Sequence, residues 1–279
     1  MAVQLKEITV AHSPDADDAF MFYALAKDKL NTHGLKVNQV LKDIQTLNLE
    51  ALKGTYEVSA ISFAAYPLVA HRYLLMPCGA SMGFRYGPKV VSRRQLSAEQ
   101  LKQVRVAIPG KLTTAYLVLQ LFQAGLQVVE MPFDQILQAV RAGEVEAGLI
   151  IHEGQLTYRE SGLSQVVDLG QWWFEQTGLP LPLGGNVIRK DLGADLRRQV
   201  TSLLQNAIKY ALDHREEALN YAMTYARDLG RDLADRFVGM YVNELTVDYA
   251  DSGRQALARL FEMAHEKGIL SSAVDVEFV

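Results

Sequence analysis

A chain of 279 residues with 49% hydrophobic and 22% charged residues has an ordinary globular composition, which excludes a disordered protein. The length suits one large domain or two of usual size, and the patterns below favour two lobes. A formal charge of -4, with no cluster of Lys and Arg interleaved with aromatics, argues against nucleic acid as a partner.

Cys78 is the only cysteine, so no internal disulfide can form and nothing indicates an oxidising compartment. Residues 1–7 lack the basic-then-apolar pattern of a secretory signal, which predicts a cytoplasmic location. No run of about 18 apolar residues occurs, so no membrane span is expected.

Ile8-Thr9-Val10-Ala11 reads as a short strand running into His12-Ser13-Pro14-Asp15-Ala16-Asp17-Asp18 and a helix that continues to residue 25. Ser13 followed by Pro14 suits an N-cap and first helical position, and acids in a first turn are favoured by the helix dipole. Two other readings of these acids stand beside capping. One is a metal site built from His12, Asp15, Asp17 and Asp18, which is disfavoured because capping accounts for most of them. The other is an acid facing a cleft and accepting hydrogen bonds from substrate hydroxyls. Residues 35–41 alternate as a strand, and Ile44, Leu47, Ala51 and Leu52 recur at helical spacing. An apolar strand follows within 54–62, then a helix over 63–75 and a turn-rich stretch over 77–88.

The first crossing between lobes is expected near Val90. Lys89-Val90-Val91-Ser92 and Val104-Arg105-Val106-Ala107-Ile108 read as strands, with a short helix start at Ser97-Ala98-Glu99-Gln100 and a break at Pro109-Gly110. Residues 113–122 form a helix whose first turn follows a strand. Its amides, the hydroxyls of Thr113 and Thr114 and the nearby Lys111 make either an ordinary threonine cap or a carboxylate or phosphate site. P-loop and dinucleotide spacings are absent, so no nucleotide cofactor is indicated. A strand at Val128-Val129-Glu130-Met131 and a helix over 133–142 come next.

Gly143-Glu144-Val145-Glu146-Ala147-Gly148-Leu149-Ile150-Ile151-His152-Glu153-Gly154 then ends an apolar run on His152. A run apolar on both faces reads as a strand buried in a mainly parallel sheet, and such sheets bind ligands beyond the carboxyl ends of their strands. His152 is therefore either a ligand-facing histidine or a core histidine bonded to a carbonyl. This run echoes an earlier one at a spacing of 89 residues. Gly54, Glu57, Val58, Ser59 and Ile61 align with Gly143, Glu146, Ala147, Gly148 and Ile150, which sets Ser62 and Phe63 opposite Ile151 and His152. Two lobes of similar build follow from that echo.

Residues 158–162 read as a loop, Val166-Val167-Asp168-Leu169 as a strand, and Trp172-Trp173-Phe174-Glu175 as an aromatic cluster, its tryptophans chiefly packing residues. Residues 178–186 suit a rigid return crossing that lines a pocket. Helical spacing over 196–212, 216–226, 233–241 and 252–267 completes the chain, with Asp213, Arg215, Glu216, Arg227 and Asp228 on a solvated face. The resulting division is 1–89 with 188–279 as one lobe and 90–187 as the other.

Five segments carry a resemblance: His12-Ser13-Pro14 and on to Phe20, Pro109-Gly110 and on to Tyr116, the run ending in His152-Glu153, residues 178–184, and Tyr241-Val242-Asn243-Glu244-Leu245. Together they resemble the 1,4-dihydroxy-6-naphthoate synthase family of the futalosine route to menaquinone, over nearly the full chain. The resemblance implies an α/β, two-lobed fold like type II periplasmic binding proteins, with a ligand cleft between lobes. It implies a carbon-carbon lyase that converts cyclic dehypoxanthine futalosine to 1,4-dihydroxy-6-naphthoate by base-initiated bond cleavage, without metal or redox cofactor. By position His152 resembles the proton acceptor. Ser62, Thr113 and Thr114 resemble substrate-holding residues, and Ala60 and Ile61, on the strand that leads to Ser62, are expected to bind substrate with them. Thr113 and Thr114 with the helix amides would take the aromatic carboxylate, and Asp18 the sugar-derived hydroxyls. The family reads Ser-Pro-Cys-Pro-Asn-Asp where this chain has Ser13-Pro14-Asp15-Ala16-Asp17-Asp18, so only Asp18 matches well. Histidine suits the role, because a base works best with a pKa near the working pH. Three rivals share parts of this pattern: an exported solute-binding receptor, chorismate dehydratase of the same pathway, and a metal-dependent hydrolase using the acids near Asp17.

Overall fold

A computed structural model describes residues 6–226 and 230–279. Arg227 and Asp228, read above as part of a solvated helix face, lie outside the described residues, as do residues 1–5 of the segment read for a signal. Contacts divide the chain into two units: Met1–Ser81 with Gly184–Ala250 and Asp275–Val279, and Met82–Leu183 with Asp251–Val274.

The first unit begins with β1 (Lys6–His12), whose Ile8 and Val10 are fully buried. It pairs in parallel with β2 (Leu35–Leu41) and β3 (Val58–Ser62). Helix α1 (Ala16–Ala26) joins β1 to β2, and α2 (Ile44–Lys53) joins β2 to β3. The Asp43 carboxylate caps α2 by accepting from Thr46 N at 2.9 Å, and Gly54 closes it at φ 73°, a left-handed conformation that glycine adopts without Cβ strain. The helix expected over 63–75 is instead a 3-10 turn (Phe63–Ala65), a single turn α3 (Tyr66–Val69) and a strand β4 (Tyr73–Leu75). Tyr73, Leu74 and Leu75 are buried by antiparallel pairing to a distant strand, and that pairing overrides the local helical spacing. Strand β5 (Ser81–Gly83) follows.

The second unit runs β6 (Lys89–Ser92), a 3-10 turn (Glu99–Gln103), β7 (Arg105–Ile108), α4 (Thr114–Phe122), β8 (Gln127–Glu130), α5 (Ile136–Ala142), β9 (Ala147–Ile150), α6 (Gly154–Thr157), β10 (Ser164–Asp168) and α7 (Leu169–Thr177). Gly143 closes α5 with φ 81°, as Gly54 closes α2. Trp173 is fully buried and donates its indole N–H to Pro180 O at 3.0 Å, which makes it a packing residue. The 178–186 stretch, read as a crossing loop, enters β11 (Leu181–Arg189), a nine-residue strand that pairs with both β3 and β4.

The two sheets share one plan. The first is ordered β2-β1-β3-β11-β4, with β5 beside β11, and the second, read from β8, is ordered β8-β7-β9-β6-β10. Their registers correspond residue by residue. Val10 faces Val58 and Ala11 faces Ser59, as Val106 faces Ala147 and Ala107 faces Gly148. Val58 and Ser59 face Ile188 and Val187, as Ala147 and Gly148 face Ser92 and Val91. The 89-residue echo in the sequence is thus a repeated strand register.

The remaining helices are α8 (Ala194–Asp213), α9 (Arg215–Ala222), α10 (Arg231–Tyr241), α11 (Glu244–Val247) and α12 (Ala250–Glu266). Leu196, Val200, Leu203, Leu204, Ala207, Ile208 and Ala211 form one buried stripe along α8. Helix α1 packs against α8, α9 and α10, so every side chain from Ala19 to Leu25 is buried rather than one face alone. The chain ends off-helix: Leu75 N donates to Glu277 O at 2.9 Å and Val279 N to Leu75 O at 3.0 Å. Among the described residues no helix is long and apolar enough to cross a membrane.

Candidate active site

In the second unit, β7 and β9 are parallel neighbours, so the start of α4 and His152 lie at the same carboxyl-terminal edge of that sheet. Strand β9 stops at Ile150, and the chain turns at His152 and Glu153 into α6. The His152 side chain is 11% exposed, with the Phe133 ring edge-on to it at 5.8 Å. Gly154 N donates to Nδ1 at 3.0 Å. A nitrogen that accepts from an amide carries no hydrogen, so the neutral ring in this arrangement bears its hydrogen on Nε2. Glycine at 154 permits the approach: a Cβ there would stand 2.7 Å from His152 Cε1. In the sequence Glu153 is a candidate to orient the His152 ring or raise its basicity, although strand alternation would set neighbouring side chains on opposite faces. Its backbone is already helical, with φ -54° and ψ -20°, and its buried carboxylate reaches 3.8 Å from Nδ1.

Helix α4 opens with Thr113 as its N-cap. The Thr113 hydroxyl donates to Gly110 O at 2.7 Å and accepts from Tyr116 N at 3.3 Å, so the threonine-cap reading holds. Thr113 and Thr114 are both buried, and the first turn holds no acid. Lys111, grouped with them in the sequence, pairs its ammonium with Glu130 at 3.3 Å in an exposed position. The positive end of the α4 dipole thus has no carboxylate of its own in its first turn.

In the first unit, β1 and β3 are also parallel neighbours, which places Asp18 and Ser62 at one sheet edge. The sequence puts the cap of α1 at Ser13; the structure puts it at Asp15, with Ala16 the first helical residue. The Ser13 groups are engaged upstream of the helix, its amide donating to Asp18 Oδ2 at 2.6 Å and its hydroxyl to Asp15 Oδ2 at 2.6 Å. Burial raises the Asp18 carboxyl from 3.8 to about 7, helped by the Asp15 charge and opposed by the Ser13 amide. Near neutral pH Asp18 therefore exists in both protonation states, and its protonated form can donate as well as accept. Among the described residues no group of three or more His, Cys, Asp or Glu is placed to hold a metal ion.

Ser62 ends β3 and is held by a residue that the sequence reading missed. Asn48 of α2 is fully buried; its amide donates to Ser62 Oγ at 3.1 Å and its carbonyl accepts from Ser62 N at 2.8 Å. The signal was an asparagine in helical phase with Ile44, Leu47 and Ala51, because a polar residue on a buried stripe needs a partner. Ala60 packs with Ala11 and Leu47, and Ile61 is fully buried. His12 meets the description of a core histidine. It is buried, stacked on Phe22 at 4.3 Å, with Nδ1 2.9 Å from Ser13 O and Nε2 3.0 Å from Gln39 Oε1, and burial lowers its pKa. Asp18, Ala60, Ile61 and Ser62 thus belong to the first unit, and Thr113, Thr114 and His152 to the second.

Residues 8–266 match a family model described as menaquinone biosynthesis. A Thermus thermophilus protein named 1,4-dihydroxy-6-naphtoate synthase is 42% identical over 275 residues, spanning 99% of this chain and 100% of that protein. A Streptomyces coelicolor protein of the same name is 34% identical over 269 residues, spanning 94% of each. A solved structure from Archaeoglobus fulgidus superposes with a TM-score of 0.91 at 47% identity, covering 95% of this chain and 98% of that one. The alkanesulfonate-binding protein of Xanthomonas axonopodis pv. citri, solved with MOPS bound, reaches a TM-score of 0.71 at 12% identity, covering 96% and 95%. That last likeness establishes the fold alone: α/β, of the periplasmic-binding-protein type.

Proposed function

We propose a function from one premise: the chain belongs to the menaquinone-biosynthesis family. The reading is a 1,4-dihydroxy-6-naphthoate synthase, a carbon-carbon lyase whose substrate is cyclic dehypoxanthine futalosine. The observation that carries the site assignment is His152 beyond the carboxyl end of β9, on the same sheet edge as the acid-free start of α4.

His152 is assigned as the base that takes a proton from a substrate hydroxyl. Loss of that proton drives cleavage of the adjacent carbon-carbon bond, and aromatisation of the product supplies driving force. The start of α4 with Thr114 is assigned to the aromatic carboxylate, Thr113 acting there by holding the turn through its bonds to Gly110 O and Tyr116 N, since a helix N-terminus without its own acids favours an anion. Asp18 is assigned to sugar-derived hydroxyls, for which a carboxyl titrating near 7 offers either a donor or an acceptor. Ser62, braced by Asn48, is assigned a further polar contact with Ala60 and Ile61 shaping the strand behind it. The reaction is assigned to the cytoplasm, in keeping with a lone buried thiol at Cys78. A solute-binding receptor shares the fold, but only at 12% identity, against 42% for the synthase.

The test is incubation of the protein with cyclic dehypoxanthine futalosine and detection of the naphthoate by mass. His152→Ala is expected to lower turnover on the order of 10²- to 10⁴-fold, the usual contribution of a general base. Full turnover by His152→Ala would remove histidine from the mechanism, and a wild-type protein that forms no naphthoate would remove the activity itself.

A further inference from the structure

We infer that Glu153 is a positioning residue that selects which nitrogen of His152 can accept the substrate proton. The inference rests on His152 acting as the base.

In the arrangement described, Nδ1 accepts from the Gly154 amide at 3.0 Å. The neutral ring then holds its hydrogen on Nε2, where it has no lone pair to offer. A base at Nε2 needs the other tautomer, with the hydrogen on Nδ1. That hydrogen cannot face the Gly154 N–H, because two donors meet there. The Glu153 carboxylate is within reach of the same nitrogen: Oε2 lies 3.8 Å from Nδ1. A displacement of about 1 Å brings the pair to normal hydrogen-bond distance. The Glu153 side chain is 4% exposed, so the resulting charge-assisted bond forms in a low-dielectric setting and is correspondingly strong.

The two neighbours thus hold opposite tautomers. Gly154 N–H retains Nε2–H, and Glu153 retains Nδ1–H. In the reactive form the substrate hydroxyl proton passes to Nε2 and the ring becomes imidazolium. The Nδ1 hydrogen stays on the ring, bonded to the Glu153 carboxylate, whose charged form the adjacent imidazolium favours. The electron pair of the broken carbon-carbon bond stays on the departing fragment, which takes a proton back from the imidazolium Nε2, so the ring returns to its neutral form and the cycle balances. The glycine belongs to the device as well: a Cβ at 154 would press on His152 Cε1 at 2.7 Å and on Ile150 Cγ2 at 3.2 Å, displacing the ring from both partners.

The experiment is nitrogen NMR of ring-labelled histidine in the wild type and in Glu153→Gln, with and without added 1,4-dihydroxy-6-naphthoate, beside steady-state kinetics. Ring nitrogen shifts separate Nε2–H, Nδ1–H and doubly protonated forms. The wild type is expected to show Nε2–H alone and a gain of Nδ1 protonation with product. Glu153→Gln is expected to keep Nε2–H in both conditions. Its kcat should fall on the order of 100-fold or more, as when an orienting carboxylate is neutralised in other sites. Its KM should stay within about threefold, because the lost interaction serves the transition state and not substrate binding. Glu153→Asp, which keeps the charge, should recover part of kcat. A Glu153→Gln protein with kcat within threefold of wild type, or with wild-type tautomer behaviour, overturns the inference. If that variant fails to fold, the wild type decides: Nε2–H persisting with product bound overturns it equally. A wild type that does not turn over cyclic dehypoxanthine futalosine defeats the activity reading, whereas an active wild type with an unaltered tautomer in Glu153→Gln defeats the Glu153 role alone.

Discussion

Helix α1 follows β1 in the first sheet as α4 follows β7 in the second, and both strands hold the same register to their neighbours. The backbones therefore offer two equivalent N-termini, each with its positive dipole end at a sheet edge. Their side chains are opposite in chemistry. At α1, Asp17 and Asp18 occupy the first turn and Asp15 the cap. At α4 the cap is Thr113, the first residue is Thr114, and no acid follows. One start already carries its own negative charge and the other does not, so an anionic group of a ligand is favoured at α4 and hydroxyls at α1. On the proposed assignment, a repeated scaffold acquires two binding specificities through a few residues at one turn.

The comparison breaks most severely if the second start is given the chemistry of the first. Thr114→Asp is expected to raise KM for cyclic dehypoxanthine futalosine on the order of 10³-fold, since a like charge set against a desolvated anion opposes binding by several kcal/mol. An unchanged KM would mean that the substrate carboxylate sits elsewhere.

The reverse change, Asp18→Asn, tests the first start through pH. The folded carboxyl titrates at about 7 against 3.8 when unfolded, so the folded state keeps a proton that the unfolded chain releases between these values. Wild-type stability must then fall as pH rises across that window. The variant lacks the titration. It should gain roughly 2–4 kcal/mol on the wild type between pH 4 and pH 8, measured by urea unfolding at both ends. A stability difference that does not change with pH would contradict the burial assigned to Asp18.

A smaller effect is expected at the cap. Thr113→Val removes the hydroxyl that serves both Gly110 O and Tyr116 N and should destabilise the protein by about 1–2 kcal/mol, seen as a lower Tm. Lys111→Ala should do least. Its exposed ion pair with Glu130 contributes less than about 1 kcal/mol, and KM should change less than about twofold if the helix start, not the lysine, holds the anion.

Much of this is legible in the sequence. Helical and strand periods located most elements, and Gly54 and Gly143 marked the matching helix ends, because caps and periodicity are local properties. Tyr73-Leu74-Leu75 was misassigned because its strand exists only through β11, over a hundred residues away in the chain. Asn48 was overlooked because its partner Ser62 sits on another element. Contact of Glu153 with His152, which the sequence leaves open, arises because period-two alternation stops where β9 ends, two residues before His152.

By itself the sequence determined the α/β class, the repeated strand-helix plan and the residues His152, Thr113, Thr114, Asp18 and Ser62 as candidates, all from spacing, capping and family likeness. Tertiary structure alone decided which hydroxyl is braced, which acid is desolvated to titrate near 7, and which ring nitrogen faces an amide. Those outcomes depend on burial and on partners from other elements, and neither is a property of any short stretch of chain.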